Sequence, residues 1–254
     1  SQMFGVDMAE NFKRPFFAVS INDFWRRWHI TLGEWLKDYI FYPVSLSGHF
    51  QKINERLRRH IKSEHLTTLL PSAYALFFVW FANGMWHGAS VKYIVYGLYY
   101  YALMMLGQAL RPLSAKAMAR LHIMRESRGY HLFEVLRTGL IVCFGMMIFR
   151  ADTLQQAGSM FASIFTKFGA SQLFDGTLLV SGIGVSDYVI LALAFCLVLT
   201  ISLLQERGVQ IRQRLAAQML PVRWTVYFGL LFAFIIFGAY GGNCTNTAFI
   251  YGEF

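Results

Sequence analysis

Charged side chains are scarce in this chain. They make up 15% of its 254 residues, while 56% are hydrophobic and 17% aromatic. A soluble domain usually carries about 25% charged residues, so the shortage points to a polytopic membrane protein. Acidic residues are scarcer still, 14 against 23 basic ones, for a net charge of +9. That excess does not indicate nucleic acid, because the basic residues are grouped between apolar runs. Such grouping is the pattern of cytoplasmic loops.

Cysteine is nearly absent. Cys143, Cys196 and Cys244 lie far apart, the first two inside apolar runs, so neither metal-ligand spacing nor a disulfide framework can be argued. Asn243-Cys-Thr245 fits a glycosylation sequon, which matters only for the lumenal end of a eukaryotic chain. Gly182-Ile-Gly184 lacks the third glycine and the strand–helix context of a dinucleotide site. No internal repeat, low-complexity tract or soluble-domain boundary is visible. No signal-peptide pattern opens these residues, and Ser1-Gln-Met-Phe-Gly5 reads as a start within a longer protein.

What is present is a long apolar run over residues 66–110. Its only ionisable side chains besides tyrosine are His87 and Lys92. His87 lies in Asn83-Gly-Met-Trp-His-Gly-Ala-Ser90, a polar, glycine-flanked break with enough chain on each side to cross a bilayer. A titratable imidazole there is a functional-site candidate unless it only caps a helix end at the interface. Basic stretches flank the run at 49–65 and 111–128, so it goes in and comes back. Either a full hairpin with His87 at the far surface or a re-entrant pair with His87 inside the membrane satisfies this pattern. The glycines at 84 and 88, with Asn83 and Ser90, suit an irregular buried turn.

Upstream, Asn11-Phe-Lys-Arg-Pro-Phe16 reads as a turn, and Ser20-Ile-Asn-Asp23 supplies a helix start. An amphipathic helix is expected over residues 21–42, with Trp28, Phe24, Leu32, Trp35 and Tyr39 on one face. Its charges make it interfacial rather than spanning. His29 borders the apolar stripe in a file with Trp25, Leu36 and Ile40. Taken by itself, it reads as a flank histidine bonded to a neighbouring carbonyl.

Downstream, residues 132–149 are apolar but carry Glu134 and Arg137 on one helical face, placed either to pair or to face the bundle interior. Asp152 is expected to cap an amphipathic stretch, and residues 150–187 to lie outside. Spans at 188–204 and 224–242 are separated by a basic, inward loop. The fold class is therefore all-α, a polytopic membrane helical bundle with interfacial amphipathic helices and a re-entrant or hairpin segment around His87. It contains five crossings at most.

Three stretches together resemble the membrane-bound O-acyltransferase family, in its bacterial branch of polysaccharide O-acetyltransferases and teichoic-acid D-alanyltransferases. They are Asn11-Phe-Lys-Arg-Pro-Phe16, then Asp23-Phe-Trp-Arg-Arg-Trp-His-Ile-Thr-Leu32 with Trp35-Leu-Lys-Asp-Tyr39, and Gly84-Met-Trp-His-Gly-Ala-Ser90. Met147-Ile-Phe-Arg-Ala-Asp152 is a weaker echo. The resemblance implies that residues 1–254 are the C-terminal part of a single membrane acyltransferase domain whose N-terminal helices are missing here, and that the isolated stretch is inactive. It implies a catalytic role for His87 in a membrane-embedded channel, with His29 at a second functional position. Candidate substrate-binding residues around them are Asn83, Trp86, Ser90 and Trp25, and Lys92 ranks second to these. No metal is expected, since His49, His60 and His65 show no ligand spacing.

The chemistry agrees with these residue types. A thioester is already activated, so the acceptor hydroxyl chiefly needs a base, and a neutral imidazole suits that role. Burial among Trp86, Phe81 and Tyr93 is expected to keep His87 neutral. The resemblance implies no bound cofactor, a cytoplasmic donor thioester (acetyl-CoA or an acyl carrier protein) and a cell-surface polysaccharide acceptor outside. It implies membrane lipid around the chain, an export or acyl-relay protein as partner and a multi-pass place in the bacterial plasma membrane. Phe41-Tyr-Pro-Val-Ser-Leu-Ser47 looks more like the acetyltransferase group than the D-alanyl group. The competing classes are a transporter using His87 as a proton relay and a non-catalytic assembly partner.

Overall fold

The computed structural model describes residues 4–167, 169, 171, 175–176 and 184–238. The sequon at 243–245, Gly182, and the last residues of the 224–242 span lie outside the described residues. The chain divides into two compact units, Ser1–Lys167 and Phe168–Phe254.

A short 3-10 turn, Pro15–Phe17, precedes α1 (Ile21–Arg27). Ser20 starts the helix as its sequence requires. Its Oγ accepts from Asp23 N at 3.1 Å, while the Asp23 carboxylate accepts from Val19 N at 3.2 Å, close to the reciprocal pattern of a capping box.

The helix expected over residues 21–42 is broken. Trp28 is extended (φ −118°, ψ 127°) and His29 is left-handed (φ 50°, ψ 52°) before α2 (Ile30–Leu36) begins. The cause is the segment that resembles a turn in the sequence. Phe12 forms an antiparallel bridge with Trp28, Lys13 N donates to Arg27 O at 2.8 Å, and Ile30 N donates to Asn11 O at 3.1 Å. Asn11 Oδ1 accepts from Thr31 N at 3.1 Å and from Thr31 Oγ1 at 3.0 Å. Asn11 and its neighbours thus satisfy backbone groups that the break would otherwise leave bare.

From α2 the chain continues through a π-helical turn, Lys37–Phe41, into α3 (Tyr42–Leu46) and then α4 (Gly48–His60). Ser47 caps α4 through Phe50 N at 3.2 Å. Phe50 is buried 5.9 Å from the Tyr74 ring, whereas Lys52, Arg56, Arg58 and Arg59 are exposed.

Residues 66–110 fold as the expected hairpin, α5 (Glu64–Trp86) and α6 (Val91–Ala109). The pair crosses backbone to backbone at Gly84 and Gly97. A Cβ on Gly97 would collide with the Trp80 carbonyl oxygen, and one on Gly84 would crowd that of Tyr93. Small residues permit such close crossings between apolar helices.

α7 (Arg111–Arg120) carries the second basic stretch, and α8 (Arg128–Arg150) packs on α6. The Tyr99 and Tyr100 hydroxyls donate to the Ile141 and Val142 carbonyls of α8 at 2.8 and 3.5 Å. Arg137 donates to Val19 O at 3.0 Å and lies over the Phe133 ring, so it faces the interior rather than pairing with Glu134. α9 (Leu154–Thr166) is capped by Thr153, whose Oγ1 accepts from Gln156 N at 3.1 Å. Asp152, expected in that role, instead donates its backbone N–H to Gln156 Oε1 at 2.6 Å.

The second unit holds α10 (Val185–Glu206), α11 (Ile211–Ala216) and α12 (Leu220–Phe237). No residue of α10 or α12 is buried, though both are apolar all round, which suits helices solvated by lipid. Among the described residues four helices, α5, α8, α10 and α12, are long and apolar enough to cross a membrane. The described residues form an all-α membrane protein with no strand beyond the single bridge.

Candidate active site

His87 follows the last residue of α5. Its backbone N–H donates to Gly84 O at 3.1 Å, and Gly88 continues the turn at φ 137°, a value that L side chains rarely adopt. The imidazole points inward and is 7% exposed. Ring centroids of Trp86, Phe149, Tyr96 and Tyr93 lie 4.8, 5.0, 5.7 and 6.1 Å away. Its Nδ1 is buried with no hydrogen-bond partner among the described residues. Asn83, one helical turn earlier, is 4% exposed and its Oδ1 is equally unpartnered. Buried polar atoms are normally satisfied, so two such orphans four residues apart in the chain mark candidate positions for a polar ligand or water.

Phe81 does not join this wall. Six residues along the helix turn it about 120° away from position 87, and it stacks on Phe77 instead. Tyr96 and Phe149, which the sequence left without a role, take that place. Phe149 belongs to Met147-Ile-Phe-Arg-Ala-Asp152, so a signal was present but nothing in it indicated a ring against His87.

A cavity of about 290 Å³ is lined by Trp25, His29, Lys37, Trp80 and Asn83 among others. His87 is not part of this wall; Asn83, four residues before it in the chain, is. Trp25 packs edge-on against Trp80 and Tyr100, each at 4.9 Å, and its Nε1 is a third buried orphan. His29 reaches the site because α1 breaks. Its ring lies 4.9 Å from Phe12 and 5.9 Å from Trp86, with no side-chain bond to its own helix end. The left-handed backbone that presents it costs on the order of 1–3 kcal/mol, a strain the Asn11 bonds offset.

Trp86 is 40% exposed and touches both histidines. Ser90 stands apart, exposed at the start of α6. Lys92 donates to Ala151 O at 2.7 Å, where a cation suits the carbonyl end of α8. It fixes the frame rather than entering the cavity.

Burial lowers the pKa of His29. His87, one residue beyond the spanning helix, is pushed down to about 4, first by burial and then by the like charge of His29. Both rings are therefore neutral near pH 7 and able to accept a proton. No group of three His, Cys, Asp or Glu side chains comes together among the described residues.

Over 173 residues the chain is 34% identical to the probable alginate O-acetylase of Azotobacter vinelandii, covering 68% of this chain and 29% of that protein. It is 30% identical over 149 residues to the teichoic acid D-alanyltransferase of Bacillus subtilis, covering 59% and 34%. Against the peptidoglycan O-acetyltransferase of Helicobacter pylori it is 34% identical over 95 residues, covering 37% and 15%. The chain is thus similar, over about 65% of its length, to members of the membrane-bound O-acyltransferase family. No family model matches it, and it spans about a third or less of the length of these relatives. The stretches Asn11–Phe16, 23–32 and 84–90 are distant in sequence. The fold joins them at the Phe12–Trp28 bridge and at the Trp86 indole.

Proposed function

We propose that the chain carries the proton-abstracting site of an enzyme that moves an acetyl group from a cytoplasmic thioester to a hydroxyl of a cell-surface polysaccharide. The observation that carries this reading is His87, buried, with Nδ1 unpartnered, one helical turn from Asn83 on the cavity wall. In this reading His87 takes the hydroxyl proton as the acceptor oxygen bonds to the thioester carbonyl carbon. The C–S bond then breaks, and the thiolate takes up a proton and leaves as the free thiol. General-base assistance of this kind contributes typically 10²–10⁴-fold.

His29 orients the acceptor or donates to the developing oxyanion, an effect worth a few kcal/mol. Trp25 and Asn83 contact substrate through their orphaned polar atoms, and Trp86 walls the two imidazoles. The donor, acetyl-CoA or an acyl carrier protein, is a substrate rather than a bound cofactor. The setting is the bacterial plasma membrane, with an export or acyl-relay protein as partner. Similarity to the Bacillus subtilis protein supports a second reading, D-alanyl transfer to teichoic acid from a carrier protein.

The test is His87→Ala in the intact protein, assayed with acetyl and D-alanyl thioesters side by side. We expect at least a hundredfold loss of turnover with helicity unchanged. Wild-type turnover in the variant would remove His87 from the chemistry, and a preference for the D-alanyl donor would select the second reading.

A further inference from the structure

A second cavity, of about 530 Å³, opens between the start of α1, the C-terminal half of α6 and the first half of α8. Its lining differs in kind from that of the first. Arg111, Arg137, Asn22 and Thr138 face it together with Leu106 and Ile141, and no acidic side chain lines it among the described residues.

Arg137 lies in a helix long and apolar enough to span a membrane, where an ionised side chain pairs, lines a cavity or serves a function. One of its five N–H donors reaches Val19 O. Among the described residues no carboxylate pairs with it: Asp23, on the neighbouring α1, is held by Arg27 at 3.2 Å. Thr138 is 1% exposed and its Oγ1 has no hydrogen-bond partner among the described residues. A mid-helix threonine ordinarily turns its hydroxyl to the carbonyl one turn back, and this one does not. Arg111, the first residue of α7, is exposed and belongs to the same basic connection that precedes α8.

We infer that this cavity binds an anionic glycerophospholipid of the surrounding membrane, its phosphate between Arg111 and Arg137 and one acyl chain along Leu106 and Ile141. Guanidinium forks match phosphate oxygens, and basic pockets between spanning helices on the cytoplasmic side suit anionic headgroups. Leu106 is 53% exposed, and Leu110, also in the lining, is 45% exposed. The tail therefore lies on faces that meet lipid rather than leading toward His87. With no carboxylate in the lining, nothing answers the ammonium of a zwitterionic headgroup. The assignment does not rest on acyl transfer.

The intact protein, purified in detergent, is melted in the presence of phosphatidylglycerol, phosphatidylcholine, diacylglycerol with the same chains, or inorganic phosphate. Phosphatidylglycerol is expected to raise Tm at the lowest concentration, while diacylglycerol and phosphate leave it unchanged. Arg111→Gln, at an exposed side chain with no hydrogen bond or ion pair among the described residues, keeps the lipid-free Tm and raises the half-saturating phosphatidylglycerol concentration about tenfold. Arg137→Gln does the same with a lower lipid-free Tm. If that variant does not fold, Arg111→Gln decides alone. An Arg111→Gln curve superimposed on wild type overturns the inference, as does an equal shift from diacylglycerol. A shift from inorganic phosphate equal to that from the lipid overturns it as well, and identifies a free-anion site instead.

Discussion

His29 and His87 pack against one indole, that of Trp86, at ring-centroid separations of 5.9 and 4.8 Å. One imidazole arrives on a broken amphipathic helix and the other on the turn of a hairpin. In the proposed reaction this shared wall leads us to expect the two to act together.

Replacing both is therefore expected to cost less than the product of the single losses. His87→Ala should lower kcat by 10²–10⁴-fold and His29→Ala by about 10-fold to 100-fold, with the double variant close to His87→Ala alone. Strictly multiplicative losses in steady-state kinetics would show that the two act separately.

The pH dependence follows from burial. His87 must be unprotonated to act as a base, and its folded value of about 4 lies below the ordinary 6.5. Activity should thus stay level down through pH 6 and fall only on further acidification. Between those two values the unfolded chain binds more protons, so stability is complete above about pH 6.5 and declines as pH drops toward 4. A pH–rate profile with its acid limb at 6.5 or higher would contradict this.

Asn11→Ala removes the acceptor for Thr31 N and Thr31 Oγ1. A loss of about 1 kcal/mol is expected, along with a drop in kcat because the break that presents His29 relaxes. Asn11→Asp keeps the acceptor oxygen and should restore both. Thermal melts and turnover of the two variants give the comparison.

Gly97→Ala places a methyl group against the Trp80 carbonyl oxygen at the α5–α6 crossing. Overpacking of that kind costs about 1–3 kcal/mol, and it would splay the hairpin whose turn holds His87. Gly139→Ala, where a Cβ meets nothing within 4 Å, serves as the control and should show no loss in the same melts.

Lys92→Met deletes the 2.7 Å bond to Ala151 O. About 1.5–3 kcal/mol of stability should go with that charged hydrogen bond. Phe149, two residues before Ala151, should then loosen against His87, so the acid limb of the pH–rate profile moves upward toward 6.5. An unmoved limb would assign Lys92 to the fold alone.

The hairpin over 66–110 with His87 at its turn and the Ser20 helix start were legible because each is written in local composition and spacing. Asn83 and Gly84, however, expected within the turn, lie inside α5, and Ser90 is exposed. The break at Trp28–His29 was not. Residues 21–42 keep helical periodicity throughout, and only the docking of Phe12 against Trp28 overrides it. Thr153 and Asp152 show the same limit on a smaller scale, since both are good cap residues and the local geometry chose between them.

By itself, the sequence determined that this is an apolar helical chain with one imidazole set at a glycine-flanked turn, because hydropathy and helix period are properties of neighbouring residues. Tertiary structure alone decided what surrounds that imidazole. Tyr96 comes from α6, Phe149 from α8 and His29 from a helix break closed by Asn11. Contacts between elements distant in the chain depend on how helices cross, here at Gly84 and Gly97, and no local pattern encodes that crossing.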